Sequence, residues 1–376
     1  MSIHFRNNFI NYIQLHVYLR SVGYIMLKNI KKYAKILSPN MIKEGNMLNI
    51  GNVSLKHGLI LAPLAGVSDK AFREICKAHG AECTVSEMIS AKGLHYNDTK
   101  TSVLAAFSEV ENPFFIQIFG SNPHIMAESA FKLVNNTYKA CQNICKPSGI
   151  DINMGCPVPK VTSNGEGSAL MKNPKLAGEI VKEVSNAVQV PVTVKIRSGW
   201  DDSCKNAVLI AKTVEENGAK AICVHGRTKA QMYRDPVDLD IIRQVKESVS
   251  IPVIANGGIN SAENARKMFE YTKCDGIMIA RGAMGNPFIF EEITAMLEGT
   301  EYIKPSIEQR LSVALEQIRL MIKYKGEHTG VLEARKHVAW YIQGEKGAAR
   351  AREAVNKACS YDEICGIIKT YIDNYA

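Results

Sequence analysis

Eight short apolar runs, separated by segments of helical pattern, constrain this chain more than any other feature. They are LILAPL (59–64), CTVSEM (83–88), FFIQIFG (114–120), IDINMG (150–155), PVTVKIR (191–197), AICVHGR (221–227), PVIANGG (252–258) and GIMIAR (276–281). A strand that is apolar at nearly every position must be covered on both faces, the condition of a parallel sheet wrapped by crossover helices. The segments between the runs supply such helices. DKAFREICKAHG begins behind Ser68, which reads as an N-cap, and stops at Gly80; NPKLAGEIVKEVSNAV and AENARKMFEY repeat apolar residues at helical spacing. Eight βα units in about 240 residues match a TIM (β/α)8 barrel, whereas a doubly wound sheet uses about six strands. The expected architecture is therefore α/β: a TIM barrel over 48–300, the linker-like TEYIKP, and an all-helical domain over 306–376, where no strand signal occurs.

A hydrophobic content of 46% in 376 residues is enough for a sizeable core, and no apolar run is long enough to span a membrane. The ten cysteines are scattered through predicted strands and helices without a secretory cleavage signature, which predicts reduced thiols in a cytoplasm. Cys141 and Cys145 lack a second Cys or His pair at zinc spacing, so no metal is expected. The net charge of +9 is uneven. Residues 1–46 carry seven Lys and Arg against Glu44 alone, and the region 1–47 reads as a basic extension ahead of the domain. Three readings of it stand: a start-site artefact or disordered lead, an RNA-contacting arm, and a targeting segment.

In a TIM barrel the active site lies where the strands end, and the residues closing these runs are unusually polar. They include Pro63-Leu64-Ala65-Gly66, Glu87, Gln117, Asn153 with Gly155-Cys156-Pro157, Lys195 with Arg197, His225-Gly226-Arg227, Asn256-Gly257-Gly258 and Arg281-Gly282. Loops after the seventh and eighth strands of such barrels often bind phosphate through backbone N–H groups. Gly257, Gly258 and Gly282 permit close approach there, and Arg281 adds charge. Lys195, between Val194 and Ile196, needs an anionic partner, which a reduced flavin would provide near N1. Gln117 and Asn153 carry the donors and acceptors that read a flavin or pyrimidine edge. His225 is either a satisfied core histidine or a ligand contact. Cys156 is open among a structural thiol, a metal ligand and a proton donor.

LAPLAGVSDKAFR, TVSEM, DINMGCPVPKV, GSALM, VPVTVKIRSGW, HGRT, IPVIANGGI and, in the tail, ARKHVAWYIQG follow one another in this order. Together they resemble the tRNA-dihydrouridine synthases, most of all the bacterial B-type branch, from about residue 48 to the C-terminus. The resemblance implies an FMN-bound TIM barrel and a helical tRNA-binding domain, reducing the C5=C6 bond of uridines in tRNA with NADPH. It implies FMN contacts at Pro63, Leu64, Ala65, Gln117, Lys195, His225, Asn256, Gly257, Gly258, Ala280 and Arg281, and makes Cys156 the catalytic acid. A thiol of ordinary pKa is mostly protonated at neutral pH, and the enolate left after hydride addition at C6 needs a proton at C5. Asn153 is expected to hold the uracil edge. Arg335 and Lys336, with Lys346, Arg350 and Arg352 close by in sequence, are expected to meet tRNA; Arg197, Arg227 and Lys229 are further candidates for its phosphates. Two departures stand out: Ala280-Arg281 where Gly-Arg is common after strand eight, and Gly257-Gly258 where Gly-Asp is common after strand seven. The expected partner is tRNA, with no metal and no membrane, bound by a monomer. Rival readings are a reductase of a free pyrimidine, another flavin-dependent RNA modification, and a non-catalytic RNA-binding protein.

Overall fold

The computed structural model describes residues 47–137 and 146–375; the basic extension and the Cys141/Cys145 pair lie outside the described residues. The chain enters by a hairpin, β1 (Leu48–Ile50) and β2 (Val53–Leu55), and proceeds to β3 (Leu59–Leu61), β4 (Cys83–Val85), β5 (Ile89–Ser90), β6 (Phe114–Phe119), β7 (Gly149–Met154), β8 (Val192–Arg197), β9 (Ala221–His225), β10 (Val253–Asn256) and β11 (Gly276–Ile279). Neighbouring strands from β6 through β11 pair in parallel; β11 then pairs with β3, β3 with β4, and β4 with β6, which closes an eight-stranded barrel. The two-residue β5 pairs with the far end of β6, on the edge that β4 occupies at its start. All eight apolar runs are therefore barrel strands, and all but β8 end one to three residues before their runs do.

The hairpin side chains Leu48, Ile50, Val53 and Leu55 are buried in one cluster with Ile60, Val85, Phe115, Ile254 and Met278, filling the barrel interior from the end where the chain enters. The outer faces of the strands pack against the surrounding helices in a second, larger core. These helices are α1 (Lys70–Ala78), α2 (Pro123–Val134), α3 (Pro174–Ala187), α4 (Ala207–Glu216), α5 (Leu239–Ser248), α6 (Ala262–Thr272) and α7 (Ile289–Glu298). The N-cap of α1 is Asp69 rather than Ser68: the Asp69 carboxylate accepts the Phe72 N–H at 2.9 Å. The Ser68 hydroxyl instead accepts the Leu64 N–H at 2.8 Å, and this ties down the first strand-end loop.

Past α7 the chain is helical throughout: α8 (Ile307–Lys325), α9 (Glu327–Tyr341), α10 (Ala348–Lys357) and α11 (Tyr361–Tyr375). Ser306 and Gln309 form a capping box at the start of α8. These four helices bury a core of their own, to which α1 contributes Ala71. Among the described residues, no helix is long and apolar enough to cross a membrane.

Candidate active site at the barrel mouth

Strands β6, β7 and β8 bring three polar residues into register, since Gln117 is opposite Asp151 and Asp151 opposite Thr193. The Gln117 amide donates to Asp151 at 2.6 Å, and so does the Thr193 hydroxyl. One layer nearer the mouth, Asn153 donates through Nδ2 to Gln117 Oε1 at 2.8 Å. Its Oδ1 accepts the backbone N–H groups of Gly155 (3.1 Å) and Cys156 (2.8 Å). The Cys156 loop is held from other sides as well: Arg197 Nε donates to the Gly155 carbonyl at 2.8 Å, and the Ser168 N–H donates to the Cys156 carbonyl at 3.0 Å. Gly167, at φ +59°, lets its segment lie against this loop; a Cβ there would come within 2.9 Å of the Cys156 carbonyl oxygen. Burial pushes the Cys156 thiol up from its ordinary range, so at neutral pH it holds its proton.

Across the mouth, Lys195 donates to Asn256 Oδ1 at 3.1 Å, and Asn256 Nδ2 donates to the Met278 carbonyl at 2.6 Å. Burial lowers the Lys195 pKa, and its hydrogen-bond partner is a neutral amide. His225 is held neutral by burial and by the charges of Lys195, Arg197, Arg227 and Arg281 around it. The Gly257-Gly258 turn runs beside it. At φ +113°, a Cβ on Gly257 would stand 2.8 Å from the His225 ring, so this turn admits only glycine without rearrangement. Arg281 is exposed, 4.9 Å from the ring of Tyr233, which Arg197 approaches to 5.7 Å from another direction. Pro63, Leu64 and Ala65 form the rim at the end of β3, and Ala280 opens the turn that presents Arg281.

Several expected site residues are placed differently. Gln117 is fully enclosed at 0% exposure with its amide committed to Asp151 and Asn153, so it forms the floor beneath the mouth rather than a ligand-facing edge. The amide of Asn153 is bonded to Gln117 on one side and to the Cys156 loop, which it orients, on the other. Arg197 and Arg227, at 3% and 1% exposure, are no surface cations. Arg197 donates to the carbonyls of Gly155, Thr228 and Met232, and Arg227 to that of Arg234 and to Asp235. Arg335 directs its guanidinium to the Ala358 carbonyl at the end of α10. Lys336 reaches the barrel and donates to the Gly66 carbonyl, while the Gly66 N–H is accepted by Glu87. Lys229 lies 4.4 Å from the ring of Trp200, with Lys172 at 4.7 Å from the same ring. Trp200 and Tyr233 went unnoticed in the sequence; aromatic residues in polar loops directly after strands were the available signal. Among the described residues, no three His, Cys, Asp or Glu side chains gather as metal ligands would.

The fold is a closed parallel (β/α)8 barrel whose strand-end loops carry a buried thiol, Cys156, and the cations Lys195, Arg197, Arg227 and Arg281. The family model for dihydrouridine synthase matches residues 60–374. The tRNA-dihydrouridine synthase B of Vibrio cholerae serotype O1 is 42% identical over 330 residues, 88% of this chain and 100% of that protein. Its counterpart in Pseudomonas aeruginosa is 38% identical over 327 residues, 87% of this chain and 96% of that one. Histamine dehydrogenase from Rhizobium sp. 4-9 superposes with a TM-score of 0.52 at 13% identity, over 75% of this chain and 51% of its own, a likeness of fold alone. The chain belongs to the dihydrouridine synthase family and is an enzyme of that family.

Proposed function

We propose that this protein reduces uridines in tRNA to 5,6-dihydrouridine, as a cytoplasmic monomer with FMN held in the barrel mouth and NADPH as electron donor. The observation that carries the reading is the pairing of a loop-held, protonated Cys156 with a cationic cradle around Lys195, His225, the Gly257-Gly258 turn and Arg281.

The residues present suit FMN. Lys195 and Arg281 are cations with no carboxylate in hydrogen-bond contact among the described residues, which favours an anionic guest. The glycine turn and the Ala280-Arg281 turn offer backbone donors and a guanidinium suited to a phosphate. Pro63, Leu64 and Ala65 would help to hold FMN from the end of β3, and Asn256 would orient Lys195 to contact it. When bound and reduced by NADPH, FMN supplies a hydride to C6 of the uracil. Cys156 then delivers its proton to C5, and the thiolate left behind is offset by Arg197 and Lys195, whose charges favour it. The exposed Lys346, Arg350 and Arg352, together with Lys229 and Lys336, are the cations we assign to tRNA phosphates.

The test is incubation with NADPH and unmodified tRNA, followed by nucleoside mass analysis. Uridine in tRNA should gain two hydrogens, while free uracil and orotate derivatives remain unchanged. Turnover of the free bases without any dihydrouridine in tRNA would replace this reading with that of a pyrimidine reductase.

A further inference from the structure

We infer that Asp151 is a positioning residue for Cys156, acting through a directional chain of side-chain amides; the inference rests on the acid role proposed for Cys156. The chain runs Asp151, Gln117, Asn153, then the backbone of Gly155 and Cys156, with contacts of 2.6, 2.8, 3.1 and 2.8 Å. Its direction is set at both ends. Burial raises the Asp151 pKa, and the two donors Gln117 and Thr193 oppose it and favour the carboxylate, which can only accept hydrogen bonds; a backbone N–H can only donate. Two primary amides placed between such ends satisfy every contact in one orientation only: Gln117 Nε2 towards Asp151, and Asn153 Oδ1 towards the loop. Turning Gln117 sets like against like at two contacts, and turning Asn153 does so at three. Burial enforces the choice, because Gln117 and Asp151 are 0% and 2% exposed, and water cannot substitute for a mismatched partner.

Asp151 therefore decides which atom of Asn153 faces the cysteine loop without itself touching the thiol. Thr193 supports it from β8, donating to the other carboxylate oxygen at 2.6 Å, so both oxygens are held in the plane that Gln117 requires. An asparagine at 151 would keep the shape and lose the direction, since its amide can serve the chain either way round. Moving the acceptor-only group one place along, to position 117, would restore direction: a carboxylate there accepts from residue 151 on one side and from Asn153 Nδ2 on the other.

The experiment compares wild type, Asp151→Asn, and the double variant Asp151→Asn/Gln117→Glu, each as purified full-length holoprotein with flavin content and melting temperature recorded. Alkylation of Cys156 by iodoacetamide is followed by peptide mass spectrometry, a readout that needs no tRNA, alongside kcat and KM for tRNA. Asp151→Asn should alkylate Cys156 roughly tenfold faster as the loop loses its hold, and kcat should fall by a similar factor at unchanged KM. The double variant should return both to within about twofold of wild type. Wild-type alkylation in Asp151→Asn overturns the inference, as does a double variant no better than the single one. If Asp151→Asn does not fold, the double variant alone decides: slow alkylation supports the inference and fast alkylation overturns it. The predicted alkylation pattern in a protein that forms no dihydrouridine would leave the positioning role standing and remove the functional reading.

Discussion

At the scale of the residue, Cys156 unites the local physics with the chemistry. A thiol near its ordinary value of about 9 would begin to ionise in mildly alkaline buffer; burial moves it higher, against the smaller opposing pull of the Val158 N–H and of Arg197 and Lys195. The active form is the protonated one, so loss of activity belongs on the alkaline side. We predict that the rate of uridine reduction measured under single turnover stays level from pH 7 to about 9 and declines only above it; a decline centred between pH 7 and 8 would mean that the proton comes from elsewhere. Much of this site was legible in strand-end motifs, which single out Cys156, Lys195, His225 and the Gly257-Gly258 turn. Asp151 was not, because an inward-pointing polar residue inside a strand looks the same in sequence whether it faces helices or the barrel axis. The acid in the middle of IDINMG was the available clue, and its meaning depended on Gln117 and Thr193 arriving beside it from other strands. The partners of Arg197 and Arg227 were not legible: a guanidinium beside a site suggests phosphate, yet strand-end loops also leave carbonyls that need donors, and both side chains are buried against them.

At the scale of the element, the eight barrel strands were visible because double-sided burial writes itself as continuous apolar sequence. The β1–β2 hairpin was not visible; LNI and VSL are three residues each, too short for a period to register. In the tail, α9 carries a buried histidine whose hydrogen bonding requires the neutral form. His337 Nδ1 lies 2.8 Å from Gln317 Nε2, while Gln317 Oε1 accepts from the Tyr341 hydroxyl at 3.1 Å. Protonated, His337 would set donor against donor. Burial accordingly lowers its pKa from 6.5 to about 4. Because the folded value lies below the unfolded one, this histidine costs nothing above the unfolded value and removes stability as pH falls from about 6.5 towards 4, by about 1.4 kcal/mol per pH unit. The melting temperature should drop between pH 7 and 5, and His337→Gln should flatten that dependence even if it lowers the melting temperature overall. Equal slopes for wild type and variant would show that other groups control acid sensitivity.

At the scale of the whole molecule, the helical tail and the barrel meet at the mouth. Lys325 pairs with Asp69 and Glu333, the Tyr324 hydroxyl donates to the Glu74 carboxylate at 2.8 Å, and Lys336 reaches the Gly66 carbonyl. Asp69 caps α1, and Gly66 belongs to the rim loop after β3, so the tail is attached to the segment that borders the proposed flavin site. The links from Lys325 to Asp69, from Tyr324 to Glu74 and from Lys336 to Gly66 could not be read from the sequence, since each joins positions about 250 residues or more apart and the tail's own pattern records only its helices. Lys336, one of the cations assigned to RNA, is thereby held at the rim loop of the barrel mouth. We propose that uridine in tRNA is reduced at this mouth with Cys156 as the proton donor. The most direct test is nucleoside mass analysis of unmodified tRNA after reaction with NADPH and either wild type or Cys156→Ala, at matched flavin content. Dihydrouridine should form with wild type and fall by about a hundredfold or more with the variant, which should still bind flavin; equal product from both proteins, or none from wild type, would contradict the account.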